Sequence, residues 1–250
     1  MSAAYGLRFS RRGGLTLIEL LVVIAILGLA AALLVPGLVS NRRASNERTA
    51  STWLKTLTSA EADFRANDRD WNGVNDFWTG DVKGLFTMTP ANIRGAGRDP
   101  RDLPIRLIDL SIAAADMDGT FVPAGGENME LRNFSAPGPS AGYWFLALEE
   151  DQYLKAGDPN RPYRADTGGA IPMGKCHHLS KFGFVGVPDS SWKGKYIFMI
   201  NENNSLFRRA VTGEIWRSGA IPPGREGLPD EYRNWPDDPI LKHYWGRAGC

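Results

Sequence analysis

From Leu20 to Val35 the chain reads LLVVIAILGLAAALLV, with no polar side chain at all. Extended back to Leu15, the run gains only one hydroxyl, Thr16, and one carboxylate, Glu19. At a rise of about 1.5 Å per residue, Leu15–Val35 makes a helix of roughly 32 Å, close to the hydrocarbon thickness of a bilayer. Pro or Gly interrupts every later apolar run. The sequence therefore predicts one membrane segment near the N-terminus and a large soluble remainder. The rest of the 250 residues fits that division: 43% hydrophobic and 23% charged is globular composition, which excludes a disordered tail, a collagen-like repeat and a multi-span protein. With 29 Lys+Arg against 28 Asp+Glu there is no basic excess of the kind a nucleic-acid binder carries.

Several kinds of chain begin this way. A secretory signal peptide would use Arg8, Arg11 and Arg12 as its basic region and Ala30-Ala31-Ala32 as its cleavage site. The apolar run, however, continues through Leu33, Leu34 and Val35 with no polar region before the alanines. A twin-arginine signal at Ser10-Arg11-Arg12 would be followed by a bulky apolar residue, and here Gly13-Gly14 follows. A double-glycine leader would put its hydrophobic part before the glycines. A plain uncleaved anchor explains the length but leaves Glu19 without a reason.

The stretch Arg11-Arg12-Gly13-Gly14-Leu15-Thr16-Leu17-Ile18-Glu19 resembles the cleavage and methylation site of type IV prepilins and type II secretion pseudopilins. The resemblance covers about thirty residues and implies a cut after Gly14 by a dedicated membrane peptidase, then N-methylation of Leu15. Leu15 replaces the phenylalanine commoner at that position. Glu19 becomes the fifth residue of the cleaved chain, the family's most diagnostic position. A charged side chain costs on the order of 3 kcal/mol at the centre of a bilayer, so a carboxylate in such a helix is a functional suspect. The resemblance gives it a partner, the terminal amine of Leu15 on a neighbouring subunit, which exists only after cleavage.

Gly28 and Pro36 fall where pilin-like helices often carry a glycine and a helix-disturbing proline. Proline removes a backbone donor and clashes with the preceding turn, so a kink is expected near Pro36-Gly37. Arg8, Arg11 and Arg12 precede the span and Arg42, Arg43 and Arg48 follow it, which leaves the positive-inside rule nearly balanced. The resemblance decides orientation: leader in the cytoplasm, a single pass through the bacterial inner membrane, and the body in the periplasm or on an extracellular filament. Loss of a leader holding three arginines would turn the formal charge from +1 to −2.

Beyond the span, Ala50, Trp53, Leu54, Leu57, Ala60 and Phe64 recur at three- and four-residue spacing, which predicts an amphipathic helix continuous with the membrane segment. The implied organisation is a leader at 1–14, a transmembrane half-helix at 15–39, an amphipathic half-helix at 40–67 and an α+β head at 68–250. The pilin-like fold it implies is a long N-terminal helix packed on an antiparallel sheet. Short helices are expected at Asp81–Thr89 and Pro104–Asp116. Strands are expected at Gly142–Leu148, Phe182–Val187, Tyr196–Asn201 and Leu206–Val211, the last two joined as a hairpin through Asn-rich turn residues. Residues 213–250 carry five prolines and little periodicity, and read as a surface-wrapping tail.

In the head, Asp68, Asp70, Asn72 and Asp76 stand at positions 1, 3, 5 and 9 of a nine-residue stretch with Gly73 at position 6. With the Val74 carbonyl at position 7, this matches the front of an EF-hand-type calcium loop. Thr79 stands where the bidentate glutamate of such a loop would be. The competing reading is a polar, helix-ending turn, since Asp, Asn and Gly are turn residues. Asp116-Met-Asp118-Gly119 reads as a turn, and Glu149-Glu150 and Asp237-Asp238 read as solvated charge.

Cys176 and Cys250 are too few for a disulfide scaffold or a cysteine-only zinc site. They are compatible with one disulfide in an oxidising compartment, and pilin-like heads often carry one in the C-terminal half. Cys176-His177-His178 lacks a convergent partner for a metal site. No nucleophile elbow, phosphate-binding loop or zinc-protease helix occurs.

The expected function is a non-enzymatic subunit, polymerising through its N-terminal helix. Its partners would be the prepilin peptidase and methylase, other pilin-like subunits and, before assembly, the inner membrane; neither nucleic acid nor a small-molecule substrate is expected. The rivals are a membrane-anchored, calcium-stabilised binding or adhesion protein that uses the leader only for delivery, and a membrane-anchored periplasmic enzyme.

Overall fold

The computed structural model describes residues 14–69, 73–87, 106–117, 136–152, 177–211, 228–236 and 245–247. Two compact units make up the chain, residues 1–41 and 42–250. In the first, helix α1 (Leu17–Asn67) begins, and its apolar side chains are exposed all round. It holds a stretch long and apolar enough to cross a membrane, none of which is buried against protein. Pro36 lies inside α1 and the helix continues past it, so the expected disturbance does not interrupt it.

In the second unit, α1 becomes one-sided. Ala50, Leu54, Leu57, Ala60, Glu61 and Phe64 are buried, the spacing of a single helical face. The predicted stripe is present, with Trp53 only partly buried and Glu61 added to it. The helix ends in a Schellman turn: Asp68 takes φ 44° and the Arg69 N–H donates to the Phe64 carbonyl. Arg69 also forks onto the Asp63 carboxylate at 2.8 and 2.9 Å.

The head is an antiparallel sheet with both faces covered. Strands β2 (Tyr143–Ala147), β4 (Gly183–Pro188), β5 (Tyr196–Asn201), β6 (Leu206–Ala210) and β7 (Gly246–Arg247) lie in that order. A separate pair joins β1 (Phe77–Trp78) to β3 (His177–His178). Successive strand residues point to opposite faces. Tyr143, Phe145, Ala147, Phe184, Phe198 and Ile200 pack with Leu54, Leu57 and Phe64 of α1. Trp144, Leu146, Val185, Val187, Ile197 and Met199 pack instead with Leu228, Tyr232, Trp235 and Trp245. The α+β class and its helix-on-sheet architecture are as the sequence implies.

Three local features fix this packing. Gly186 brings β4 under the helix, since a Cβ there would lie 3.2 Å from the Phe145 ring and 3.5 Å from Leu54. The Tyr143 hydroxyl packs against Gly194 and donates to the Tyr196 carbonyl at 2.9 Å. The β5–β6 hairpin closes through Asn204 at φ 53°, whose N–H donates to the Asn201 carbonyl at 2.9 Å. The outer edge of β2 is also occupied: the Phe145 N–H donates to Ala115 at 2.8 Å and its carbonyl accepts from Met117 at 2.7 Å.

Four expectations need correction. Among the described residues the helices expected at 81–89 and 104–116 are single turns, α2 (Gly84–Thr87) and α3 (Leu110–Ala113), with 88–89 and 104–105 lying outside those described. Asp81 explains the first: its Oδ1 accepts from Gly84 N–H and from the Trp78 indole, so the chain before Gly84 is a cap. The tail does not merely wrap the surface. Its helix α4 (Asp230–Arg233), Trp235 and Trp245 form the second core, because widely spaced aromatics bury well without periodicity. Glu149 is not simply solvated: Arg233 grips it bidentately at 2.7 and 2.9 Å. Asp116, read as part of a turn whose Asp118 and Gly119 lie outside the described residues, is in addition a buried anchor, accepting Val82 and Lys83 N–H groups at 3.0 and 2.8 Å.

Candidate processing and assembly segment

The N-terminal site can be followed from Gly14 onward. Gly14, Leu15 and Thr16 are non-helical, and α1 starts at Leu17. Thr16 is the residue that starts it. Its N–H and its hydroxyl both donate to Glu19 Oε2 at 2.8 Å, and the Glu19 N–H donates back to Thr16 Oγ1 at 3.3 Å. This is a capping box, Thr-x-x-Glu, in which the cap hydroxyl and the third helical carboxylate satisfy each other's main-chain donors. Glu19 therefore has a partner on its own chain, besides the amine that the resemblance implies on another subunit, and the Thr-x-x-Glu spacing is visible in the sequence.

Glu19 is thus the only carboxylate within a long apolar surface from Leu15 to Leu38 that is exposed in the single chain. A helix apolar on every side has to be covered by lipid or by other helices. Gly28 adds a gap: no atom lies within 4 Å of where its Cβ would be.

The calcium-type residues divide differently. Asp70 and Asn72 lie outside the described residues, as do Cys176 and Cys250 and most of the leader. Asp68 Oδ2 accepts the Gly73 N–H at 3.0 Å, and Gly73 takes φ 81°. Turn chemistry accounts for these bonds. Val74 packs partly buried against the core and Asp76 is wholly buried. Among the described residues no group of three or more His, Cys, Asp or Glu is placed to hold a metal. His178 is buried, and its Nδ1 accepts the Ser180 and Lys181 N–H groups at 3.1 and 2.9 Å.

Sequence reasoning missed Glu61. It is wholly buried on the packed face of α1, and its Oε2 accepts the Trp78 N–H at 2.9 Å. Burial holds its carboxyl well above the ordinary range; the Trp78 N–H pulls it part of the way back, and the Asp76 carboxylate raises it again. Burial likewise pushes the Tyr143 phenol up, with a smaller push from Glu47.

Residues 9–35 match the prokaryotic N-terminal methylation motif. That range contains Gly14, Leu15, Thr16 and Glu19 together with most of the apolar run. In this segment the chain is similar to proteins that carry that motif, and the long helix packed on an antiparallel sheet behind it is a pilin-like architecture. The chain is similar to the type IV wide pilus major component PilA4 of Thermus thermophilus, 31% identical over 84 residues. The match takes in 32% of this chain and 59% of that relative, so the chain spans well under two thirds of the relative's length. No solved structure matches significantly.

Proposed function

We propose that this chain is a structural subunit of a type IV pilus-like or type II secretion assembly, cut after Gly14, methylated on Leu15, and polymerising through α1. One observation carries the reading: a lone carboxylate, Glu19, stands one turn into an apolar helix directly behind Gly14 and inside the matched motif. Cleavage would leave Leu15 as a charged amine beside the Thr16–Glu19 box. In the polymer, Glu19 would then exchange part of its bonding to Thr16 for the amine of a neighbouring subunit. The partners in this reading are the prepilin peptidase and methylase, the inner membrane before assembly, and other pilin-like subunits. The head stands in the periplasm or on an extracellular filament. The chain does no chemistry of its own.

Mass spectrometry of the mature protein from cells that hold the peptidase tests this directly. Loss of residues 1–14 and a methylated Leu15 are expected; an intact Met1 would sink the reading. Calcium at Asp68, Asp70, Asn72, Val74 and Asp76 is a separate proposal carried by their spacing. It would fasten the end of α1 to the strand that follows.

A further inference from the structure

Residues 189–195, between β4 and β5, lie against the part of α1 that belongs to the second unit. The Lys195 N–H donates to Glu47 Oε1 at 2.8 Å, and the Asn46 side chain donates to the Lys193 carbonyl at 2.9 Å. The Trp192 ring lies 5.6 Å from the Arg43 guanidinium. Going back through the loop, the contacts go back along the helix, from Glu47 to Asn46 to Arg43. Trp192 therefore meets the residue of the three that is closest in sequence to the apolar run. The loop is braced from its other side as well. The Trp144 indole donates to Asp189 Oδ1 at 3.0 Å, and the Lys193 N–H closes a turn on the Ser190 carbonyl at 2.9 Å.

On this braced loop Trp192 is 66% exposed, whereas Trp78, Trp144, Trp235 and Trp245 are all buried. Among the described residues beyond α1, no other aromatic side chain is left so open. A single exposed aromatic is ordinary on a protein surface. Its neighbours here are not. Arg42 and Lys193 are exposed and Arg43 is half-buried, while the two acids of these segments, Glu47 and Asp189, already accept hydrogen bonds from within the head. Arg43 also stands five positions after Leu38, the last of the exposed large apolar residues of α1, which is about 7.5 Å of helical rise. The headgroup region of a bilayer adds roughly 5–7 Å beyond the hydrocarbon on each side. An indole is favoured at that depth, with its apolar body and polar N–H, and each cation there gains about 1 kcal/mol from anionic lipid.

We propose that Trp192, with Arg42, Arg43 and Lys193, is a docking surface for the headgroups of an anionic phospholipid bilayer: the indole lies among the headgroups and the cations meet lipid phosphates. Such a seat holds the unassembled head on the lipid surface. The inference rests on α1 crossing a membrane before assembly, and on no step of cleavage, methylation or polymerisation.

The test uses the full chain, labelled with fluorotryptophan, in nanodiscs of phosphatidylcholine and phosphatidylglycerol, with Trp192→Phe identifying the Trp192 fluorine signal. A lipid spin-labelled on its headgroup should broaden that signal and leave the buried Trp78 sharp; a label at the end of the acyl chain should broaden it less. Arg42→Gln with Lys193→Gln removes two cations, about 25-fold in the ratio of docked to free loop, and should lose most of the broadening. Nanodiscs of phosphatidylcholine alone should do the same. Retention by liposomes of the same lipids through alkaline carbonate extraction reports the α1 span separately. A chain that is retained but keeps a sharp Trp192 signal overturns this proposal and leaves the span standing; a chain that is extracted overturns both. Broadening indifferent to the two cations and to phosphatidylglycerol overturns the assignment to anionic headgroups. A signal untouched by labelled lipid that shifts with protein concentration gives the surface to a second copy instead.

Discussion

The main-chain N–H of Trp78 donates to Glu61 Oε2 over 2.9 Å, in a site from which both residues exclude water completely. A carboxyl from the buried face of α1 thereby holds the first strand of the head. Because its folded-state pKa is raised above the ordinary value of 4.5, the folded chain binds this proton more tightly than the unfolded chain does. The stabilisation is complete below the unfolded value and is lost as pH rises toward the folded one. Glu61→Gln keeps the acceptor and abolishes the titration. The variant should therefore gain on the parent as pH goes from 5 to 8, measured by thermal unfolding of the full chain in detergent. Parallel curves would refute this.

Glu61→Ala should behave differently from Glu61→Gln. It strands the Trp78 N–H and opens a cavity, so a loss of about 2–4 kcal/mol is expected at pH 5, shrinking toward pH 8 as the parent loses the stability tied to its protonated carboxyl. Denaturant unfolding at pH 5 and pH 8 checks both the size of the loss and its decrease with pH.

Gly186 in β4 and Gly194 in the loop before β5 should rank by what stands over them. At Gly186 an added methyl needs the Phe145 ring to give by a few tenths of an ångström, for a cost of about 1 kcal/mol. At Gly194 it meets the Tyr143 hydroxyl, whose hydrogen bond to the Tyr196 carbonyl resists displacement. Gly194→Ala should cost about 2–3 kcal/mol. A reversed order in denaturant midpoints would mean that the helix, rather than Tyr143, limits the packing.

Trp235→Ala should destabilise the head by about 3–5 kcal/mol, as expected for a large aromatic removed from a core. Its ring packs edge-on against Phe207 at 5.6 Å. A loss below about 1 kcal/mol would restore the surface-tail view of this segment.

At the N-terminus, Glu19→Ala should leave membrane insertion intact and weaken assembly. Thr16→Val removes only the capping hydroxyl, at a cost of about 1 kcal/mol to the first turn, and should leave cleavage unchanged. If Glu19→Ala assembles as well as the parent, the helix serves as an anchor alone.

Legibility in the sequence followed the periodicity. Strand Tyr196–Asn201 and its hairpin were readable because aromatic and branched residues run between turn formers. The α1 stripe was readable from three- and four-residue spacing, yet the same spacing placed Glu61 between Leu57 and Phe64 and it passed unnoticed. Its meaning depends on Trp78, and no local pattern records that contact. The two-residue strands β1, β3 and β7 are too short to have a period. Trp235 and Trp245 sit in a proline-rich stretch whose only signal was its tryptophans. Gly14, Leu15 and Glu19 were singled out by resemblance to a known motif, whereas the Thr16–Glu19 capping box was legible in local spacing.

The covered margin of β2 has a further consequence. With Ala115 and Met117 already bonded along the outer border of β2, that border offers little bare backbone to a visiting strand among the described residues. Crowding many copies together would then not invite amyloid-like zipping through that border. Order among such copies would have to come from side chains meeting side chains, a kind of contact that can be undone.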